Sequence, residues 1–139
     1  MTKTRTPELV HRIAIHEAGH AVVAAVCKSK HIKATIVPDE IFEGKVDYEG
    51  QERNVEGQIL ICFGGAFAEA ILSNSANTEG AVDDISKIKI ACAFFGRDFN
   101  TLGAESYDIV KANWDAVQRV AAALEERGTI TEDTIYGEL

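Results

Sequence analysis

His16-Glu17-Ala18-Gly19-His20 places two imidazoles and one carboxylate within five residues. On a helix, residues four apart lie on adjacent turns of one face, so the ring nitrogens of His16 and His20 can converge on a single metal ion, with zinc as the default. Glu17 lies about 100° further around the helix, beside the metal and not on it. That position suits a general base that takes a proton from zinc-bound water. The zinc would polarise both the water and a carbonyl, so the chemistry these residues offer together is metal-assisted hydrolysis of a peptide bond. As ordinary helix residues they would be two partly buried histidines satisfied by backbone or water. That simpler reading leaves Gly19 unexplained, because a mid-helix glycine lowers stability unless something packs against it.

Two histidines do not complete a catalytic zinc site, which takes a third protein ligand and leaves one position to water. A histidine six residues after His20 would close the site locally, but that residue is Val26, which excludes the metzincin pattern. His11 and His31, at a helix start and a strand edge, read as surface residues. Asp84 shares a helical face with Ala81, Ile88, Ala91 and Phe95, so its carboxylate would border a buried stripe. A first-turn carboxylate is also favoured by the helix dipole alone, and spacing leaves the two roles evenly balanced. Glu69, amid Ala66, Phe67, Ala70 and Ile71, is the competing ligand. Asp83, four residues before Lys87, has the spacing of an exposed ion pair.

The elements that must carry these residues follow from periodicity and punctuation. Thr6-Pro7-Glu8 starts a helix over about Pro7 to Lys28, on which Ile13, His16, His20, Val23 and Cys27 form an inward stripe. Residues 1–5 should fray. Alternation of Ile32, Ala34 and Ile36, a polar turn bracketed by Pro38 and Gly44, and the run from Lys45 to Tyr48 predict a β-hairpin. A helix follows from about Asn54 to Ser73, with Ile59, Leu60, Phe63, Phe67 and Ile71 inward. Gly64-Gly65 inside it destabilises by about 1 kcal/mol per glycine relative to alanine, which implies a second backbone passing close. Another helix runs from about Gly80 to Phe95, with Ile85, Ile88, Cys92 and Phe95 facing the core. Residues 96–103 are expected to be a connection, and a long amphipathic helix is expected from Ala104 to Arg127, ended by Gly128. A short helix after Thr131 closes the chain.

Composition bounds the rest. The chain has 139 residues, 46% of them hydrophobic, enough for one domain with one core. With 14 basic against 22 acidic side chains and a net charge of -8, a nucleic-acid backbone is an improbable partner. The apolar stretches Ile13 to Val26 and Ile59 to Leu72 are interrupted and are expected to fall short of a membrane span. The polar first residues exclude a secretory signal, so the expectation is a cytoplasmic protein without membrane insertion. Cys27, Cys62 and Cys92, odd in number and each within an apolar helical pattern, are expected to be buried reduced thiols.

The motifs in order resemble those of the peptidase domain of FtsH-type ATP-dependent zinc metalloproteases, over about residues 8 to 137. Residues Ile15 to Ala21 are similar to the family's tyrosine-H-E-A-G-H-A segment, and Ala34 to Pro38 resembles the strand that follows. Gly64-Gly65-Ala66-Phe67-Ala68-Glu69 is similar to G-G-R-x-A-E, and Glu79 to Ile85 to T-G-A-x-N-D-L. Thr129 to Ile135 resembles the closing segment. The resemblance implies that Asp84 is the third zinc ligand, with Asp83 at the family's asparagine. The chain departs from the pattern at Ala66, in place of arginine, at Ile15, in place of an aromatic residue, and in a shorter segment between Phe95 and Ala104.

The expected architecture is α+β, mainly α: a single helical zinc metallopeptidase domain spanning residues 1–139, with one small β-hairpin. The expected activity is that of a zinc metalloendopeptidase on unfolded or flexible polypeptides, with His16, His20 and Asp84 as ligands and Glu17 as base. The family's ATPase module and membrane segments have no counterpart in these residues, so a separate ATPase partner and self-association are both open to it. The competing reading is a catalytically silent binding or regulatory module that docks on a larger protease or ATPase. Substrate is expected to pair, as an added strand, with an exposed edge near Lys45 to Tyr48.

Overall fold

Thr6 and Pro7 start the first helix, α1 (Pro7–Val26), as their types require. The Thr6 hydroxyl accepts the Leu9 N–H at 3.1 Å, proline takes the first helical position and Glu8 sits in the first turn. The computed structural model describes residues 5–50, 54–74 and 79–139, and for residues 79–84 the backbone alone. Of the segment expected to fray, residues 1–4 lie outside those described; the Arg5 guanidinium donates to the carbonyls of Ile36 and Glu43. Helix α1 is not a surface helix with one apolar stripe. Ala14, Ile15, Ala18, Ala21, Val22, Val23 and Ala24 are all fully buried, so the helix runs through the middle of the core.

The second central helix is α2 (Val55–Ser73), where the Asn54 side chain accepts the Gly57 N–H at 2.9 Å as an N-cap. It packs on α1 and on two later helices, α3 (Glu79–Phe95) and α4 (Phe99–Ala112). At 19 residues, α2 meets the length and composition of a membrane span, because the helix begins at Val55 and outruns the apolar stretch seen in the sequence. Its apolar face is committed to the core: Ile59, Leu60, Ile61 and Phe63 are buried there.

Helices α1 and α2 cross where the glycines predict it. A Cβ on Gly19 would lie 2.4 Å from the Gly64 carbonyl oxygen and 2.6 Å from Ala68 Cβ, and a Cβ on Gly64 would lie 2.7 Å from the Gly19 oxygen. Each glycine therefore admits the other's backbone, which explains both mid-helix glycines at once. The cost they impose on each helix is offset by the packing of α1 against α2.

The hairpin forms as expected from β1 (Lys30–Thr35) and β2 (Lys45–Glu49), antiparallel, with Lys33 opposite Asp47 and Thr35 opposite Lys45. A third strand joins it. β3 (Thr129–Thr131) pairs antiparallel with β1, giving the order β2-β1-β3 and leaving β2 at an edge. Three residues are too short to show alternation, so the sequence pattern misses β3. Tertiary contacts hold it: Ile130 is buried, and the Thr35 and Thr129 hydroxyls lie 2.8 Å apart.

The long helix expected over residues 104–127 is two helices, α4 and α5 (Trp114–Arg127). At Asn113, with φ of -109° and ψ of 23°, the side-chain amide and the backbone N–H both donate to the Ile109 carbonyl, at 2.8 and 3.1 Å. The connection before α4 is also shorter than expected, because α3 ends at Phe95, just before Gly96 with φ of 65°, and α4 begins at Phe99. Phe95, expected in the core, is exposed and packs edge-on against Phe94. The buried Ser106 hydroxyl ties α4 to the Leu60 carbonyl of α2 at 2.8 Å. The closing helix, α6 (Glu132–Gly137), follows Thr131 as expected, and its Tyr136 hydroxyl reaches the Ser29 carbonyl at 2.8 Å.

Gly64→Ala should destabilise the fold by about 1–3 kcal/mol, the range for overpacking a close contact, read as a lowered midpoint in urea. Gly137→Ala, where nothing lies within 4 Å, should leave the midpoint within about 1 kcal/mol of the parent.

Candidate metal centre

The crossing of α1 and α2 sets the two imidazoles against the glycine after Gly64. His16 and His20 rings lie with centroids 4.7 Å apart and nearly perpendicular, and their Nε2 atoms are 3.1 Å apart. A Cβ on Gly65 would fall 2.4 Å from His20 Nε2 and 2.6 Å from His16 Nε2. The second glycine of the pair thus clears space for the rings, while the first clears space for the backbone.

Each ring has an acceptor behind it. His20 Nδ1 lies 2.6 Å from the Ile61 carbonyl, and His16 Nδ1 lies 3.2 Å from Glu69 Oε1, a carboxylate that is itself buried. The Gly65 N–H also comes within 3.3 Å of His20 Nδ1, but the shorter contact to a carbonyl, which can only accept, assigns the proton to Nδ1. The carbonyl behind His20 turns its Nε2 lone pair toward His16 Nε2. Two nitrogens 3.1 Å apart suit a shared cation, since two nitrogens each about 2.0–2.1 Å from a tetrahedral zinc lie about 3.4 Å apart. Histidines backed by a carboxylate and a carbonyl are the usual outer support of such a metal. The residues present therefore fit zinc.

Glu17 completes the local set: one donor atom from each of His16, Glu17 and His20 falls within 4.8 Å of the others. Its side chain is buried, and a Cβ on Gly44 would come 3.0 Å from Glu17 Cγ and Oε2 and 3.0 Å from the Thr35 carbonyl oxygen. Glu17 therefore sits against the loop that joins β1 to β2. That loop is shaped by Asp39, whose carboxylate accepts the Phe42 N–H at 2.6 Å and the Ile41 N–H at 2.8 Å, and the Arg5 guanidinium clasps both its arms at Ile36 and Glu43. On β2 the Tyr48 hydroxyl is pushed up to about 12 by burial and by the nearby Cys62 and Cys27 thiols, so it stays neutral.

The other acids and histidines fall as follows. Asp84 lies on α3, which packs against α2, and its side chain is outside the described residues, as is that of Asp83. Glu69, the competing ligand, approaches the rear nitrogen of His16. His11 and His31 are exposed, beside Glu125 at 3.2 Å and Glu49 at 3.6 Å. None of the three cysteines is in a disulfide, and only Cys92 is buried; Cys62 is exposed, because its neighbours Ile61 and Phe63 take the core side of α2. Sequence reasoning did not find the Ile61 carbonyl, Gly44 or the Arg5 clasp, all of which act through tertiary contacts. The Gly64-Gly65 pair was the one local signal of them.

Residues 4–94 match the model of peptidase family M41. The chain belongs to that family. Among M41-type relatives, it is 32% identical over 108 residues to the ATP-dependent zinc metalloprotease FtsH of Karelsulcia muelleri, an alignment covering 69% of this chain and 17% of the relative. It is 28% identical over 147 aligned positions to the ATP-dependent zinc metalloprotease FtsH 2 of Symbiobacterium thermophilum, covering 96% of this chain and 25% of that one. The chain thus spans a quarter or less of the curated relatives it matches. Family M41 membership agrees with the mainly helical α+β fold and with a peptidase domain of FtsH type.

Gly65→Ala should lower zinc affinity at least tenfold, the scale of losses on disturbing the support of metal ligands, as measured by competition with a chromophoric chelator, with far-UV circular dichroism unchanged. In the loop, the Phe42 and Ile41 N–H groups hold the Asp39 carboxyl below its ordinary range. A lowered folded value means that the turn is fully stabilised above the unfolded value of about 3.9 and loosens as pH falls through the lowered one. Carbon-13 titration of Asp39 should therefore show a midpoint below that value, with the Ile41 and Phe42 amide shifts moving at the same pH.

Proposed function

We propose that this chain is a zinc-dependent endopeptidase acting on unfolded or flexible polypeptides. What carries this reading is the pair of Nε2 atoms 3.1 Å apart, backed by the Ile61 carbonyl and the Glu69 carboxylate, with the Glu17 carboxylate alongside. His16 and His20 would hold the metal, and Asp84 would supply the third ligand. The support for Asp84 is the likeness of Glu79 to Ile85 to the M41-type segment and the packing of its helix on α2. When bound, zinc supplies Lewis-acid polarisation of a water molecule and of the scissile carbonyl.

The remaining steps belong to the protein. Glu17 accepts a proton from the attacking water as its oxygen bonds to the carbonyl carbon, and returns that proton to the nitrogen as the C–N bond breaks, so the amine leaves neutral. Burial of Glu17 against Gly44 fixes the carboxylate and limits its exposure to bulk water. The Ile61 carbonyl holds the His20 imidazole in one tautomer, and Glu69 stands behind the His16 ring. Substrate would lie along the edge strand β2, whose outer backbone groups can pair with an extended chain of any sequence and so offer a carbonyl to the site. A cytoplasmic, reducing compartment suits three cysteines that form no disulfide. Both relatives are named ATP-dependent, and substrate delivery by an ATPase, with self-association of the chain, belongs to the same proposal.

Three proteins test it: wild type, Glu17→Gln and Asp84→Ala, each assayed for bound zinc and for cleavage of an unfolded protein. Glu17→Gln should retain zinc and cleave about 10²–10⁴-fold more slowly, the usual contribution of a general base, while Asp84→Ala should lose both zinc and cleavage. Equal cleavage by Glu17→Gln and wild type would overturn the mechanism. Zinc retained by Asp84→Ala but lost from Glu69→Ala would move the third ligand to Glu69. Zinc binding without cleavage in wild type would favour the non-catalytic module.

A further inference from the structure

The loop between β1 and β2 presents apolar side chains to solvent beside the metal centre. Val37, Ile41 and Phe42 are 57, 82 and 51% exposed, a cluster of large apolar groups where single scattered ones would be ordinary. The turn holds them there. The Asp39 carboxylate accepts the Ile41 and Phe42 N–H groups, the Asp39 N–H donates to the Phe42 carbonyl at 2.9 Å, and Arg5 grips both arms of the loop. Gly44, which abuts Glu17, lies at most about 11 Å along the chain from Ile41. The charge of the tip has one sign. Across residues 37–44, Asp39, Glu40 and Glu43 are acidic and exposed, and no residue is basic. Of the flanking cations, Arg5 directs its N–H groups at the two carbonyls and Lys45 lies 3.9 Å from Asp47.

We propose that this tip is an exosite for segments of unfolded polypeptide in which large apolar side chains stand beside lysine or arginine. The proposal rests on the peptidase reading for its place in the reaction and deepens it by naming the substrate class. Ile41 and Phe42 offer apolar surface to side chains that a folded protein would bury. Glu40 and Glu43 beside them favour cations and repel acidic segments, on a chain whose net charge is already -8. The loop runs directly into β2 at Lys45, so a polypeptide paired with the β2 edge continues onto the tip. Backbone pairing is indifferent to side chains, and the tip supplies the selectivity that pairing lacks. An exposed ion pair contributes about fivefold at most, and partial burial of a leucine side chain about tenfold, so the apolar contact leads and the charge refines it.

The test is binding, read by fluorescence anisotropy, to the full chain carrying Glu17→Gln, so that no turnover intervenes. Three labelled peptides of equal length are compared: one of leucine and lysine, one with glutamate in place of lysine, and one with serine in place of leucine. The leucine–lysine peptide should bind about tenfold tighter than the serine–lysine one and severalfold tighter than the leucine–glutamate one, the second difference shrinking at high salt. Ile41→Ser with Phe42→Ser keeps both backbone N–H groups of the turn and should weaken the leucine–lysine peptide about tenfold. Ile90→Ser with Phe94→Ser, an exposed apolar pair on α3, should leave its affinity unchanged. Glu40→Lys with Glu43→Lys should reverse the charge preference in favour of the leucine–glutamate peptide, a gain that misfolding cannot produce. Equal binding of the three peptides, a loss with the α3 pair in place of the loop pair, or a charge preference that does not reverse overturns the exosite and leaves the peptidase reading standing. Failure of the zinc-loaded wild type to cleave overturns the peptidase reading, and the binding series still decides whether the tip takes such segments.

Discussion

The close approach of α1 and α2 at Gly19 and Gly64 is the constraint on which the other features depend. With a carbonyl oxygen 2.4 Å from where the Gly19 Cβ would be, the two helices are nearer than side chains would allow. Only at that separation can His16 and His20, on one helix, reach the Ile61 carbonyl and the Glu69 carboxylate on the other. Val23 continues the seam one turn on, its Cγ2 only 3.0 Å from where a Cβ on Gly64 would stand. Two helices so placed leave little of their own surface for water, and the remaining elements cover what is left: α3 and α4 on α2, and α5 and the sheet on α1.

Orientation of the imidazoles follows from that seam. A histidine has two nitrogens, and a metal can use either one unless the other is committed. Here a backbone carbonyl commits the His20 ring, a buried carboxylate stands 3.2 Å behind the His16 ring, and the two Nε2 atoms meet at one point. The support is stiff, because Ile61 and Glu69 lie two turns apart on one helix and cannot shift independently. Gly65 adds the last requirement, an absence of side chain where the rings stand. The fold thus sets the donors together before any metal arrives.

What the sequence made legible, and what it hid, divides along the line between local and tertiary causes. The convergence of His16 and His20 was readable because four residues on a helix fix a direction by geometry alone. Gly64 and Gly65 announced a close neighbour but not which one. The hairpin was visible in the alternation around Ile32 and Ala34, whereas β3 was not, since its three residues owe their pairing to Thr35 and to the burial of Ile130. The stripe of Val110, Val117, Ala121 and Leu124 continues across α4 and α5, so periodicity alone could not reveal the interruption at Asn113. Cys62 was misjudged for a similar reason: an apolar neighbourhood in sequence says little about which side of a helix meets the core. The resemblance to FtsH-type peptidases assigned Asp84 where spacing had left it balanced against a simpler role.

Arg5 precedes α1 and grips the loop between β1 and β2 at both of its arms, and the same loop rests at Gly44 on the Glu17 carboxylate. The segment ahead of Pro7 is therefore mechanically connected to the site by two short links, one polar and one steric. A displacement of Arg5 would reach the loop directly, without passing along α1, whose residues the core holds. One end of the described chain and the buried Glu17 carboxylate thus share a single loop as their neighbour.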